Sequence, residues 1–325
     1  MNVFKVINPG MFTTIQDLGR KGYQKYGIAV SGSVDHYAHR IANILVSNPQ
    51  SAAVLEVTLV GLKLKALRST VISITGGDLR PVINHQSVPL WKSLQVNKGD
   101  VIHFKGCKTG CRAYLAIAGG IDVPLFLGSK STDTVGKFGG MKGRSLQKGD
   151  IIKTGFLNGN INKLTGRSLP PFLIPKYSNH INVRVILGPQ DNAFTKNAID
   201  TFLSSTYTVS KDLDRMACRL QGPELKHQTS ADIDSEGLFL GAIQVPPNGK
   251  PIVLLTGRRS IGGYPKIGGV ISVDLPKLAQ LKQGDTINFT QVSVSEAHSL
   301  LKEQERKFTI LNTHVTGGYN FEKNN

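Results

Sequence analysis

The sequence predicts a mainly β protein, a β-rich α+β chain of barrels or sandwiches carrying a few short helices. Three observations lead there. Short alternating or β-branched runs recur roughly every ten to fifteen positions, as strands separated by tight turns do. Glycine is abundant, with 35 residues in 325. The same phrase of a polar turn, Gly-Asp and a β-branched run returns at 94–102, 146–152 and 281–287. Many short strands between Gly, Pro and Asn turns suit closed or layered β architectures rather than a doubly wound α/β sheet.

In chain order, 1–7 alternates like a strand and meets Pro9-Gly10. A helix is expected over 37–47, because Ala38, Ile41, Ala42 and Leu45 share one face, Asp35 precedes it and Asn48-Pro49 stops it. Strands are expected at 70–74, 101–104, 112–118 and 183–187. After Gly188-Pro189-Gln190-Asp191, the helical spacing of Phe194, Ala198 and Phe202 predicts a second helix. Strands at 252–255 and 270–273 follow, then a short helix opened by Asp274-Leu275-Pro276. Ser293 and Glu296 form a capping box before Ala297, Leu300 and Leu301. In the three repeated phrases, Gly99, Gly149 and Gly284 suit a positive φ, and Asp100, Asp150 and Asp285 are read as closing the turn. Their recurrence in both halves predicts two related β modules, 1–155 and 181–310. A linker rich in Gly, Asn and Pro is expected over 156–180, and a tail over 311–325.

Hydrophobic residues make up 40% and charged residues 19%, the balance of a folding chain. The N-terminal apolar stretch is too short for a signal peptide, and no run approaches the ~18 apolar residues of a membrane span, so the cytoplasm is the expected location. Three cysteines fit that compartment. Cys107 and Cys111 lack a second pair or a histidine at zinc spacing, and with Cys218 they read as core or cross-strand thiols. The formal charge of +17 would suit nucleic acid, but the basic residues are scattered and no recognised nucleic-acid module accompanies them. A basic surface for an acidic partner subunit or an anionic small-molecule substrate is the better reading; nucleic acid and membrane are not expected partners.

No phosphate loop of the Gly-x4-Gly-Lys-Ser/Thr type and no Gly-x-Ser-x-Gly elbow occurs. Chemistry is sought instead in three segments. In the first, Gln16, Asp17, Arg20, Ser31 and Asp35 lie among glycines just before a helix, a setting for a carboxylate or carbamoyl-like anion. The plainer reading is a turn-rich loop in which Asp17 and Asp35 cap backbone. His36 and His39 follow, more naturally surface or core histidines than metal ligands, and no metal is expected. In the second, Gln244 stands between apolar residues before Pro246-Pro247, able either to present its amide to a ligand or to face solvent. In the third, Tyr264 and Lys266 sit between two Gly pairs after Arg258-Arg259, offering a donor and a cation where backbone can approach a ligand. Arg215 and Arg219 lie near a strand and are expected to pair with the acidic stretch Asp232 to Glu236.

Taken in order, several segments resemble one family. They include Thr13 to Arg20, Ser31 to Asp35, Tyr114 to Gly120, Gly128 to Thr132, Gly188-Pro189-Gln190, Gly241 to Pro246 and Gly262 to Pro265. The chain is identified by them as similar to the allophanate hydrolase subunit 2, or biotin-dependent carboxyltransferase, family, from about Gly10 to Ala297. The resemblance implies tandem cyclophilin-like β-barrels. It implies a subunit of an ATP-dependent 5-oxoprolinase complex, a lactam hydrolase inactive without its A subunit and its KipI-like B subunit. ATP with Mg would be used by the complex, and no cofactor is expected to be held tightly. On that reading Asp17, Lys266 and Tyr264 are the candidate catalytic residues, and Gln16, Arg20, Ser31, Asp35, Gln244 and Arg215 bind substrate. The alternatives are a biotin-dependent carboxyltransferase of the urea carboxylase type and a Kip-type regulator that antagonises a histidine-kinase inhibitor. No Ala-Met-Lys-Met biotin-attachment site is present, so biotin would arrive on another protein. The chain departs from the family at Ser33-Val34, at Ala217 and at Arg259-Ser260-Ile261.

Overall fold

The computed structural model describes residues 1–156, 160–228 and 230–316. The chain divides into two compact units. Unit 1 comprises Met1–Arg20, Ser31–Tyr177 and the chain from Arg306 onward; unit 2 comprises Lys21–Val30 and Ser178–Glu305. This is less linear than modules at 1–155 and 181–310. Residues Lys21–Val30 group with unit 2, where Gln24 Nε2 donates to the Leu238 carbonyl at 2.7 Å. Of the expected linker, 157–159 lie outside the described residues. The part that follows is packed, with Leu164 and Leu169 buried in unit 1. Of the expected tail, 317–325 lie outside the described residues.

Unit 1 is built from β1 (Asn2–Pro9), β2 (Phe12–Gln16), α1 (His36–Leu45), β3 (Val54–Thr58), β4 (Leu62–Ala66) and β5 (Thr70–Asp78). It continues with β6 (Pro81–Ile83), β7 (Gln86–Ser87), β8 (Lys92–Val96), β9 (Val101–Phe104), β10 (Thr109–Ile117), β11 (Ile151–Lys153) and α2 (Ile161–Leu164). One sheet runs β11-β1-β4-β9-β6-β7 and the other β2-β3-β10-β5-β8. The strand period of two explains the continuous apolar run of β10. Ala113, Leu115 and Ile117 face the core shared with the first sheet, while Tyr114 and Ala116 face the cluster that holds Ala38, Ile41 and Leu45 of α1. Neighbouring β5 shows the same division: Ser73 and Thr75 hydroxyls donate to the Ala42 and Ala38 carbonyls of α1, at 2.6 and 2.7 Å. The predicted helix is present and its cap is Asp35, whose Oδ1 accepts from Ala38 N–H at 2.8 Å.

Unit 2 comprises β12 (His180–Leu187), α3 (Lys196–Ser204), β13 (Tyr207–Val209), β14 (Ala217–Gln221), β15 (Glu236–Gly237) and β16 (Ala242–Gln244). Then come β17 (Ile252–Leu254), β18 (Ile261–Gly262), β19 (Lys266–Val270), α4 (Leu275–Leu278) and β20 (Thr286–Gln291). Seven strands close a barrel in the order β12-β19-β16-β17-β14-β13-β20, so no edge is left open along it. The fold is therefore β-rich with few helices, as the sequence predicted. The barrel is filled by Val183, Cys218, Ile243, Val253 and Ile267, with Phe202 stacked on Phe289 at 4.5 Å. Residues of opposite parity on the same strands, Ala217, Ala242 and Leu254, form a second apolar cluster with Leu238. A two-stranded ribbon of β15 and β18 adds to this unit.

The last helix, α5 (Val294–Thr316), starts at the predicted capping box: Ser293 N–H donates to Glu296 Oε2 at 2.7 Å, and Glu296 N–H to Ser293 Oγ at 3.2 Å. The three repeated turns are alike in detail. Asp100, Asp150 and Asp285 accept from the N–H of Asn97, Gln147 and Lys282 at 2.8, 2.7 and 2.8 Å, and the glycines adopt φ of +97°, +95° and +86°. No described helix is long and apolar enough to cross a membrane.

Candidate functional site

The candidate residues fall into two groups, one in each unit. In unit 1, β2 delivers Gln16 and the loop after it delivers Asp17 and Arg20. Asp17 accepts four hydrogen bonds: from Ser131 Oγ at 2.5 Å, Ser129 Oγ at 2.7 Å, Lys130 N–H at 2.6 Å and Gly19 N–H at 2.8 Å. Burial alone would raise its pKa, but those donors outweigh it and leave the carboxyl below its ordinary value. Gln16 is fully buried: its Nε2 donates to Thr14 Oγ1 and the Thr132 carbonyl, and its Oε1 accepts from Gly32 N–H at 3.2 Å.

Arg20 is also fully buried, stacked against Phe138 and Phe126 at 4.7 and 5.4 Å from their ring centres. Its Nε and Nη2 donate to the carbonyls of Phe126 and Ser131. Burial lowers its pKa, and Asp17 and Asp133 partly offset that. Ser31 Oγ donates to Asp133 Oδ2 at 3.3 Å, and Asp35 caps α1 while accepting from the Tyr177 hydroxyl at 2.8 Å. A cavity of about 500 Å³ in this unit is lined by Asp17, Gly19, Asn48, Gly120 and Lys130. Of the five candidates here, Asp17 lines it and the other four are committed to holding the loops.

His39 is a core histidine. His39 is fully buried, its Nδ1 2.7 Å from Ser33 Oγ and its Nε2 3.2 Å from Asn43 Nδ2. Burial depresses its pKa to about 3, with His36 adding to the effect. Among the described residues no three His, Cys, Asp or Glu side chains converge on a metal position.

In unit 2, a cavity of about 580 Å³ lies over the second apolar cluster. Its floor is Ala217, Ile252 and Leu254, the outward positions of β14 and β17, together with Leu238. Gln244 and Tyr264, both predicted, line it, but Lys266 and Arg215 do not. Gln244 is 6% exposed, so it does not face solvent, and its Nε2 donates to the Tyr264 carbonyl at 3.3 Å. Lys266 is 1% exposed and ion-paired with Glu236, which also accepts from Gln190 Nε2 at 2.7 Å. That pairing holds the Glu236 carboxyl below its ordinary value. Glu236, expected to meet Arg215 or Arg219, thus meets Lys266 instead, because β15 and β19 bring those two side chains together across long sequence distance. Arg219 and Asp232 both line the cavity.

Two sets of residues escape a reading of the sequence alone. Ser129, Lys130 and Ser131 supply three of Asp17's four donors, and only the Gly-Ser-Lys-Ser-Thr spelling hints at them. Arg258 reads in the sequence as half of a basic pair and not as a site residue. It lines the unit 2 cavity at 7% exposure, its Nε and Nη1 donate to the carbonyls of Leu238 and Leu255, and burial pulls its pKa down to about 10.

A family model described as "Carboxyltransferase domain, subdomain A and B" matches residues 26–291. The chain belongs to the carboxyltransferase family. This carboxyltransferase-family chain is 37% identical over 309 residues to the 5-oxoprolinase C subunit of Escherichia coli, covering 95% of this chain and 97% of that one. It is 35% identical to the "Urea amidolyase" of Lachancea kluyveri, again over 95% of its own length but only 18% of that protein. The crystal structure of the Kluyveromyces lactis urea carboxylase superposes with a TM-score of 0.90 at 32% identity, covering 95% of this chain and 29% of that one. Two of the departures from the family pattern, Ala217 and Arg259 with Ile261, line the unit 2 cavity.

Proposed function

We propose that this chain is the C subunit of an ATP-dependent 5-oxoprolinase, hydrolysing 5-oxo-L-proline to L-glutamate with an A subunit and a KipI-like B subunit. One observation carries the reading: the alignment runs through 97% of the Escherichia coli subunit, whereas it occupies 18% of the Lachancea urea amidolyase. The same reading places the complex in the cytoplasm, where cysteines without disulfides are at home.

The chemistry is consistent with a shared task. Amide resonance makes a lactam carbonyl a weak electrophile; phosphoryl transfer from ATP to its oxygen, with release of ADP, activates the carbon. Water adds there, the C–N bond breaks as a proton passes to nitrogen, and hydrolysis of the resulting acyl phosphate releases orthophosphate and glutamate. Magnesium and ATP are assigned to the complex as a whole. What this chain supplies is a walled cavity with an apolar floor, a buried amide at Gln244 and a phenol at Tyr264. Asp17, Gln16, Arg20 and Lys266 act as positioning residues, each already engaged by neighbours.

The test mixes this chain with its A and B subunits and follows glutamate release from 5-oxo-L-proline, omitting ATP or each chain in turn. Release that needs ATP and all three chains is the expected result. Release that is unchanged without this chain would sink the proposal. The urea carboxylase superposition favours a second reading, carboxyl transfer from biotin carried on another protein. Carboxylation of urea by the same mixture in place of glutamate release would establish it. Capture of the B subunit with no turnover of either substrate would point to the Kip-type regulatory role.

A further inference from the structure

In the unit 2 cavity one charged side chain, Arg258, makes no ion pair among the described residues. Arg258 is only 7% exposed, and both of its hydrogen bonds go to neutral backbone carbonyls, Leu238 at 3.1 Å and Leu255 at 3.5 Å. No acidic side chain among the described residues perturbs it; burial lowers its pKa to about 10. Its Nη2 donates to nothing among the described residues. A buried guanidinium left in this condition is costly unless an anion completes it. Elsewhere in this unit Lys266 is paired with Glu236 and Arg184 with Asp274 at 2.8 Å, while Arg215, whose pKa burial likewise lowers to about 10, does not line the cavity.

The surroundings narrow the anion. Gln244 donates through Nε2, but its Oε1 accepts no hydrogen bond among the described residues, so an acceptor waits beside the apolar floor for an N–H. Gly262 belongs to the wall, and a Cβ there would lie 3.0 Å from both Gln244 Nε2 and Leu238 Cδ1, so the cavity is shaped up to its backbone. Two aspartates, Asp214 and Asp232, share the lining with Arg258 and the exposed Arg219 and Arg259. Three arginines against two aspartates leave the lining with one net positive charge, enough to balance a single negative charge and too little to neutralise a polyanion such as a nucleoside triphosphate. The planar fork of a guanidinium matches the two oxygens of a carboxylate.

We propose that Arg258 and Gln244 form a subsite for a small monocarboxylate bearing an N–H donor: Arg258 takes the carboxylate, Gln244 Oε1 accepts the N–H, and Leu254, Ile252 and Leu238 take the hydrocarbon. Resting on the 5-oxoprolinase reading, the ligand is 5-oxo-L-proline itself, whose carboxylate, lactam N–H and ring methylenes supply those three features. The subsite binds and orients the ring; it performs no bond-breaking step.

The experiment titrates the full chain calorimetrically with 5-oxo-L-proline, with 2-pyrrolidinone, which lacks the carboxylate, and with cyclopentanecarboxylate, which lacks the lactam. In parallel, glutamate release is followed in the complex with its partner subunits. A charge-assisted pair in a desolvated site should make 5-oxo-L-proline bind about tenfold or more tighter than 2-pyrrolidinone. Arg258→Gln should erase that preference, and in the complex should raise KM more than it lowers kcat. Gly262→Ala leaves Arg258 in place and narrows the cavity, so it should weaken all three ligands while the thermal midpoint stays close to that of the wild type. It carries the test if Arg258→Gln does not fold. A retained carboxylate preference in Arg258→Gln, or unchanged binding in Gly262→Ala, overturns the subsite. The two readings fail separately. If 5-oxo-L-proline binds as expected while the complex releases no glutamate, the oxoprolinase reading falls and the carboxylate subsite stands. If glutamate is released with an unaltered KM in both variants, the subsite falls and the oxoprolinase reading stands.

Discussion

Unit 1 and unit 2 each bury a charge beside a cavity, and they treat it in opposite ways. Asp17 is wrapped by four donors from two loops, so its charge is spent inside the fold. Arg258 has backbone carbonyls and, among the described residues, no carboxylate, so its charge is left over. The contrast separates two uses of buried polarity. A saturated carboxylate ties loops together and resists further ligands, whereas an unanswered cation is a receptor at some cost to stability.

The contrast can be broken first at Asp17. Asp17→Ala strands two hydroxyls and two N–H groups in a buried site, and should lower unfolding stability by about 3 kcal/mol or more, read as a shift in urea midpoint. A loss of less than about 1 kcal/mol would mean water already competes for those donors.

A second effect of similar size sharpens the unit 1 side. His39 is neutral in the native state, with a pKa of about 3 against an ordinary 6.5. The unfolded chain therefore binds the proton first as pH falls, and the native state loses relative stability throughout the window from 6.5 down to about 3. Between pH 7 and pH 4 this one group should account for about 3 kcal/mol. His39→Gln should flatten the corresponding part of the stability-against-pH curve; an unchanged slope would refute the assignment. Asp17 acts at the lower end of the same acid limb, since its depressed pKa makes its contribution vanish only as pH falls below the ordinary carboxylate value.

Smaller again is Arg20→Lys. It keeps the charge but loses the guanidinium's contact with the stacked Phe126 and Phe138 rings and one of two carbonyl contacts, for an expected cost of about 1–2 kcal/mol by thermal unfolding. The smallest stability effect is expected on the unit 2 side. Arg258→Met removes an uncompensated buried charge and refills its volume, so the midpoint should move by less than about 1 kcal/mol, in either direction, while ligand binding is lost. A loss as large as that of Asp17→Ala would erase the contrast between the units and make Arg258 a structural residue.

Much of this molecule is settled locally and is legible without coordinates. The three Gly-Asp turns close with the same side-chain hydrogen bond because a positive φ and an Asx-type acceptor are properties of four or five consecutive residues. The Asp35 cap, the Ser293–Glu296 box and the buried face of α1 are local in the same sense. Candidate sites are legible as segments, since Gly-rich loops carrying Gln, Asp, Tyr and Arg are rare in plain connections. What each side chain does there is not. Glu236 meets Lys266 across 30 residues, and Asp17 meets Ser129 and Ser131 across more than a hundred. Whether a buried charge is answered depends on such non-local partners, because electrostatic energy in a low-dielectric interior is fixed by what stands within a few ångströms in space. Residue order along the chain thus carries the β-rich class, the turns and caps, and the segments that hold polar chemistry. That Asp17 and Lys266 are satisfied and Arg258 is not follows from which distant strands and loops the fold sets beside them.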